Sequence, residues 1–421
     1  MLARLKYALF NSAGDRNFGR NYILNTADGA FFALAMGMVP LNTVLTYFIS
    51  GYISQKWLIG LLSFLNVLLT FSPQILVSRK LERVRRIKPL MLAYGIGLRL
   101  LWLLMGLNVI LLADKNPVLF IILFYLLYSL IGLFSAFIGI SWLNFIVKII
   151  PDSFRGRFFG IRSTISGMFE MLGALFMGIL LKNLPSPLNY GVLFLVVFVL
   201  TSLSIAFVAF SKEEDRIREE RGEAGESYFT RMVRVLREDR NFTNYLFSVL
   251  LIGALGKMPF AFQIIFAKER LDITALEVSY ATFVLLAFQT VGYLIWGIVG
   301  DKKGFKLTLE ISAVVFLPSL LFTFMMSSRT VFYISVALFG IAQSARNVNE
   351  NNLAINICRE YDNQPLYIGL RNLLMGPAFA LSPLLAGLLL DHFGSLPLFV
   401  ISSIFMTGGL YVLLRAVREY R

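Results

Sequence analysis

A charged and amide-rich stretch directly follows an apolar one in the C-terminal half of the chain. Residues 344–352 read SARNVNENN, and residues 331–343 before them are almost wholly apolar. Arg346 and Glu350 are four residues apart, so they share one face if the stretch is helical. An arginine can hold an anionic group and a carboxyl group can carry a proton, so this pair has the chemistry of a binding or coupling site.

The length of the apolar run indicates that the polar stretch is helical and lies inside the membrane. Thirteen residues of helix extend about 20 Å, whereas a bilayer core measures roughly 30 Å. The helix must therefore continue through Arg346, Asn349, Glu350 and Asn352. Because lipid does not tolerate such side chains, we expect them to face a watery cavity or another helix.

Two interpretations of this stretch stay open. It could line a solute pocket, or it could be the cytoplasmic end of a span, packed against its neighbours to stabilise a gate. The matching segment of the fourth predicted span reads FIGISWLNF and is aromatic and apolar. A gate shared by both halves would appear in both segments, so the difference favours a pocket.

Four other ionisable residues lie inside predicted spans: Asp28, Arg99, Glu170 and Lys257. Each is a candidate functional residue, because charge within the membrane is expensive. Asp28 and Glu170, together with the glutamate of SARNVNENN, are candidate proton carriers. Lys257, just before Pro259, which is expected to kink the seventh span, could hold an anionic group or compete with the proton for a carboxylate. Arg99 is expected to be a structural ion-pair partner of Asp28 or Glu170.

The composition is that of an integral membrane protein built from helices. Apolar residues make up 57% of the chain and charged residues 15%, with a mean hydropathy of +0.72. A soluble fold carries about 25% charge. Twelve spans are predicted, at about 22–48, 54–77, 88–112, 118–147, 160–182, 190–210, 240–268, 275–299, 306–327, 330–356, 365–390 and 396–415.

The distribution of Lys and Arg predicts the orientation. Of the 39 basic residues, thirty fall at the termini and in the loops on their side of the membrane, and six fall on the opposite side. Both termini are therefore expected in the cytoplasm, in the plasma or inner membrane. The net charge of +14 would face anionic lipid headgroups rather than nucleic acid. One cysteine and one histidine predict neither a metal site nor a cofactor site.

Short repeats indicate that the chain consists of two related halves. DRNFGRNYIL opens the first span and DRNFTNYLF the seventh, while FFGIRS leads into the fifth and LYIGLRN into the eleventh. The predicted domains are residues 1–210, a linker at 211–239 with a basic amphipathic helix, and residues 240–421. Internal repeats with a site between them are typical of transporters.

One loop motif gives a family resemblance. The segment GIVGDKKGFK resembles the loop signature of the major facilitator superfamily at Gly297, Asp301, Lys302, Gly304 and Lys306. NTADGAFF and RKLERVRR are similar to a broad bacterial branch of that superfamily. The resemblance implies an all-α fold of twelve helices in two six-helix bundles, with this loop as a conformational latch. The first-half counterpart, QILVSRKLER, lacks the glycine and the aspartate, which weakens a latch there.

The resemblance also implies a function. We expect a monomeric secondary transporter that contacts membrane lipids and moves a small organic solute by alternating access, coupled to protons. The aromatic first half favours export of an amphipathic compound. Alternatives are a carrier for anionic or sugar-like solutes, a carrier for a lipid, and a non-transporting receptor or scaffold. An enzyme is not expected, since no nucleophile–base pair or phosphate-binding loop is visible.

Overall fold

The described part of the chain is helical. The computed structural model describes residues 17–71, 84, 86–213, 228–358 and 364–420. Its main helices are α1 (Phe18–Met38), α2 (Lys56–Phe71), α3 (Ile87–Leu112), α4 (Pro117–Ile149), α5 (Asp152–Asn183), α6 (Leu188–Phe210), α7 (Tyr228–Glu238), α8 (Arg240–Val249), α9 (Gln263–Leu271), α10 (Ala275–Lys303), α11 (Phe305–Phe324), α12 (Arg329–Ile357), α13 (Gln364–Phe393) and α14 (Ser395–Ala416).

Eleven helical segments within these residues are long and apolar enough to cross a membrane. A further apolar helix, α2, is shorter and ends at Phe71, beside residues outside the described ranges. The prediction of a multi-span helical membrane protein is therefore confirmed. The number of twelve spans and the cytoplasmic position of both termini stay predictions.

The seventh predicted span is interrupted near its centre. After α8 the chain forms a π-helical turn, Leu250–Leu255, and then a 3-10 turn, Met258–Phe262, before α9 begins. Pro259 lies at the start of the 3-10 turn, where its ring and its missing N–H break the regular hydrogen bonding. The predicted kink at this proline is confirmed. Lys257 sits between the two irregular turns, the kind of position often found at functional sites.

By their contacts the helices form two compact units. The first unit contains α1, α3, α4, α5 and α6. The second contains α2 and all helices from α7 onward. Thus α2, which belongs to the first half of the sequence, packs with the second unit, chiefly against α13. The predicted domain boundaries at 210 and 240 stay predictions.

The first unit depends on a close crossing of α1 and α5. A Cβ atom on Gly37 would lie 2.0 Å from the backbone oxygen of Glu170, and one on Gly173 would lie 2.1 Å from that of Leu34. Only glycine permits this approach, as is common between membrane helices. The crossing places Glu170 at the helix interface. The aromatic core of this unit, which includes Phe18, lies at one end of α1.

Each sequence half carries the same carboxylate cap. The N–H groups of Ile87 and Lys88, at the start of α3, donate to the two carboxylate oxygens of Glu213 over 2.9 and 3.0 Å. Those of Phe305 and Lys306, at the start of α11, donate to Glu419 over 2.9 and 3.1 Å. Each glutamate lies just beyond the sixth predicted span of its half, and a negative charge at a helix N-terminus is stabilising.

A pair of hydrogen bonds made by one asparagine side chain, called a clip here, lies beside each cap. Asn21 and Lys212 exchange two hydrogen bonds through the asparagine side chain and the lysine backbone, at 2.9 and 2.8 Å. Asn241 and Arg418 do the same at 2.8 and 2.7 Å. The clips tie the first helix of each half to the residue before the capping glutamate. These matched details support the duplication inferred from the repeats.

Replacing Glu213 or Glu419 by glutamine should destabilise the fold, because the neutral side chain offers one acceptor oxygen to two helix-end amides. We expect each variant to lower the free energy of unfolding by about 1 kcal/mol, with the larger loss at Glu213, which also pairs with Lys148 at 2.7 Å. Unfolding of the purified protein in detergent measures this.

The control is Glu310→Gln, which removes an ion pair between Lys306 and Glu310 one turn apart, at 3.4 Å. Such pairs contribute roughly 0.5 kcal/mol or less. Losses at the two caps no larger than this control would contradict the capping role.

Candidate functional site

The polar stretch 344–352 lies inside a continuous helix. Helix α12 extends from Arg329 to Ile357 and begins at the cap Ser328, whose side chain accepts a hydrogen bond from Val331. The prediction that this span continues through the polar residues is confirmed. The charges are therefore held within a helix of membrane-spanning length.

Three charged side chains form one buried cluster in the second unit. The carboxylate of Glu350 contacts the guanidinium groups of Arg346, one turn earlier on α12, and of Arg371 on α13. Arg346 is only 5% exposed, Glu350 6% and Arg371 8%. The hydroxyl of Tyr245 on α8 donates to the backbone oxygen of Glu350 over 2.6 Å. Three helices are thus joined at Glu350.

Lys257 lies at the edge of this cluster. Its Nζ donates to Oε1 of Gln343 over 2.8 Å, and it interacts electrostatically with Arg346, Glu350 and Arg371. Unlike those three residues, Lys257 is only half-buried. The structure therefore brings the predicted Lys257, Arg346 and Glu350 together.

The amide side chains of α12 divide between two roles. Gln343 donates to Asn347 over 2.8 Å, and Asn347 donates to the hydroxyl of Tyr293 over 3.1 Å. Asn347 and Asn351 are exposed. This face, Gln343–Asn347–Asn351, repeats every fourth residue and is called the amide stripe below.

The two predicted asparagines lie elsewhere. Asn349 is fully buried and donates to the backbone oxygen of Trp296 on α10 over 3.2 Å. Asn352 donates to the Val348 oxygen of its own helix over 3.0 Å. Their described contacts are thus with the protein backbone, and a solute-binding role for either residue stays a prediction.

The first unit contains a second buried charge cluster. The carboxylate of Asp28 accepts from Ser204 over 2.6 Å and pairs with Arg162 at 3.3 Å. The Arg162 guanidinium also lies 4.1 Å from the ring centre of Trp142. The carboxylate and the electron-rich face of the indole both attract the cation and so stabilise its charge.

The hydrogen bonds of Arg99 go to backbone oxygens. Its Nε and Nη1 donate to the backbone oxygens of Thr201 and Gly95 over 2.9 and 3.0 Å. It interacts electrostatically with Asp28, but the direct ion pair of that aspartate is made by Arg162. Arg99 is therefore buried and bonded to backbone, as befits a structural residue.

Glu170 is held differently from the other two candidate carboxylates. It lies near the middle of α5 and is partly buried. It makes no ion pair with any residue in the described ranges. Asp28 and Glu350, by contrast, each have at least one guanidinium partner.

A family model with the description Major Facilitator Superfamily matches residues 22–274 and 245–421, nearly the whole chain. The chain belongs to the major facilitator superfamily. A search of curated protein sequences gave no match.

Solved structures of superfamily members share its fold. A D-xylose–proton symporter superposes with a TM-score of 0.71 at 10% identity, covering 96% of this chain and 98% of that one. A bacterial homolog of the human lysosomal transporter Spinster, inward-facing and occupied, gives 0.70 at 14% identity, covering 95% and 97%. A mutant of the nucleoside transporter NupG gives 0.70 at 12% identity, covering 94% and 100%. At these identities the similarity concerns the fold.

The superfamily's loop motif forms a tight turn between α10 and α11. Gly304 has a φ of 101°, a conformation that strongly favours glycine. Asp301, Lys302 and the neighbouring Lys303 are exposed on the last turn of α10. Glu419, rather than Asp301, accepts the N–H groups at the start of α11. The latch role of this loop stays a prediction, and the counterpart at residues 74–83 lies outside the described residues.

The sequence did not predict that Arg371 pairs with Glu350, or that Arg162 pairs with Asp28. Arg162 and Arg371 are among the thirty basic residues that the sequence assigns to the side of the termini. The repeat FFGIRS and LYIGLRN contained the signal, because it places the two arginines in equivalent positions. Each contacts a buried carboxylate, Asp28 in the first unit and Glu350 in the second.

The motif loop yields a test with a matched control. A Cβ on Gly300 would lie 2.8 Å from both the Asn349 side chain and the Phe305 ring, whereas a Cβ on Gly297 would meet nothing within 4 Å. Gly300→Ala should therefore lower the free energy of unfolding by about 1–3 kcal/mol through overpacking. Gly297→Ala should leave it unchanged or raise it by up to about 1 kcal/mol. Equal effects in thermal unfolding would show that the close α10–α12 contact is not made.

Proposed function

We propose that this superfamily member is a proton-coupled secondary transporter that moves a small organic solute across the cell membrane by alternating access. The observation that carries the proposal is the presence of two buried charge clusters within helices of membrane-spanning length. Burying such groups is expensive, and a fold needing only stability would be served as well by apolar residues.

The amide stripe and Lys257 are the proposed solute contacts. None of these polar side chains is fully buried, and together they offer several donors and acceptors at one edge of α12. Arg346 and Glu350 lie behind them and hold the helix in position. We therefore propose a solute pocket at this stretch of α12, lined by the amide stripe and Lys257 rather than by the Arg346–Glu350 pair.

Glu170 is the proposed proton carrier. Protonating Asp28 would leave the partly buried Arg162 without its anionic partner, and protonating Glu350 would do the same to the buried Arg346 and Arg371, which is costly. Glu170 has no such described partner, so it can gain and lose a proton without breaking an ion pair. The D-xylose–proton symporter resembles this chain in fold only, so coupling here rests on Glu170.

Other features of the proposal come from the sequence. Export of an amphipathic compound, a monomeric state, membrane lipids as contacts and location in the plasma or inner membrane stay predictions. A non-transporting receptor on the same fold remains the alternative from another class. It would bind a ligand but give no flux in sealed vesicles.

Proteoliposomes test the coupling. Solutes that raise the unfolding temperature of the purified protein are first selected from a varied library, because a ligand of the folded state stabilises it. With a pH-sensitive dye inside the vesicles, such a solute should drive proton movement through the unchanged protein. Glu170→Gln should reduce proton-driven accumulation of the solute at least about tenfold, while solute exchange without a gradient persists.

Glu238→Gln is the control, since Glu238 is exposed on α7 and should not alter either measurement. Full proton-driven accumulation by Glu170→Gln would exclude Glu170 as the carrier. Stabilising solutes with no flux in any vesicle preparation would instead favour the receptor.

A further inference from the structure

The charge cluster of the second unit contains more positive than negative charge. Arg346 and Arg371 share the carboxylate of Glu350. Lys257 interacts electrostatically with these residues, and Glu350 is the one carboxylate among the described residues acting on it. Two guanidinium groups around one carboxylate leave surplus positive charge inside a membrane span, where an uncompensated charge is costly, and Lys257 is a third basic side chain beside them.

Neutral amide oxygens accept hydrogen bonds from Lys257 and from one nitrogen of Arg371. Lys257 donates to the amide oxygen of Gln343 over 2.8 Å. Nη1 of Arg371 donates to the amide oxygens of Asn351 and Asn372 over 3.0 and 2.9 Å. A hydrogen bond between two charged groups is stronger than one between a charged donor and a neutral acceptor. An anionic oxygen would therefore compete well for these donors.

The same edge of the cluster is the accessible one. Lys257 is half-buried, and Asn347 and Asn351 of the amide stripe are exposed. Arg346 and Glu350 are buried behind them. Because Gln343 of the stripe bonds to Lys257, a ligand bound on the stripe would lie next to the lysine, and both arginine–Glu350 contacts could stay intact.

We infer that the transported solute carries an anionic group, a carboxylate or a phosphate, and that Lys257 is its direct partner. The inference rests on the proposed transport function, since it assigns the chemical class of the solute. Arg346 and Arg371 supply the surplus positive charge behind the lysine. On binding, an anionic oxygen replaces the amide oxygen of Gln343 as the acceptor of the Lys257 hydrogen bond.

Thermal unfolding of the purified full-length protein tests the inference, with inorganic phosphate, succinate and glucose as probes at constant ionic strength. Phosphate or succinate should raise the unfolding temperature in a saturable manner, by about 2 °C or more. Glucose, which is neutral, should not. Lys257→Met removes the charge from a side chain of similar length and should weaken the apparent affinity for the anion at least about tenfold.

Lys268→Met is the matched control. Lys268 belongs to the same predicted span, but it bonds to Ser50 at 3.0 Å, outside the cluster, so this variant should respond to the anions like the unchanged protein. Glu350→Gln provides a second measurement. It should unfold at a lower temperature without anion and gain more from the anion than the unchanged protein does, because an added anion replaces the lost carboxylate.

Anionic lipid could supply the same chemistry as a solute, so the measurement is repeated in neutral-lipid nanodiscs with and without phosphatidylglycerol. A response to phosphatidylglycerol alone that depends on Lys257 would assign the site to a lipid headgroup and overturn the solute inference. Equal anion responses in Lys257→Met and the unchanged protein, or no response to any anion, would also overturn it. Flux of a neutral solute in proteoliposomes would then still support the proposed transport function. Absence of flux for every solute would contradict both the transport function and the anionic-solute inference.

Discussion

A charge inside a membrane-length helix must be matched by other groups of the protein, because the hydrocarbon core provides neither water nor counter-ions. The packing of both units follows this constraint. Where an arginine passes a neighbouring helix, that helix carries a glycine: a Cβ on Gly29 would lie 2.7 Å from Arg162, and one on Gly253 would lie 2.3 Å from Arg346. The helices therefore approach closely around charged side chains that a larger residue would displace.

The two units satisfy the constraint to different degrees. In the first unit Asp28 is balanced by Arg162, with Arg99 near by, and Glu170 stands apart from this network. In the second, Glu350 pairs with two arginines, and Lys257 is a further basic side chain beside them. Duplication has supplied equivalent arginines, but their surroundings have diverged. In our proposal the first unit handles the proton and the second the anionic part of the solute.

Features that depend on local sequence could be predicted. The span length required SARNVNENN to be helical, and Pro259 marked the interruption beside Lys257. The repeats predicted a duplication, and the matching helix caps made by Glu213 and Glu419 support it. Each of these predictions uses only chain length, one residue type or one short motif.

Features that depend on helix rotation could not be predicted. Several spans are apolar on most sides, so no polar face fixes which residues point inward. For this reason the sequence did not show that Arg162 rather than Arg99 pairs directly with Asp28. Nor did it show that Asn349 is buried while Asn347 and Asn351 are exposed. Arg371 follows closely after a polar segment, which favours a loop assignment from the sequence, whereas in the structure α13 includes it.

The Glu213 and Glu419 caps have a consequence for the order in which the two halves can fold during synthesis. The start of α3 is separated from Glu213 by 126 residues, and the start of α11 from Glu419 by 114. Because a chain emerges from the ribosome in sequence order, the third helix of each half enters the membrane long before its cap exists. The first half can close while the linker is being made, whereas the second can close only after Glu419 has been added. A nascent chain arrested between the linker and Glu419 would therefore hold one completed half and one open half.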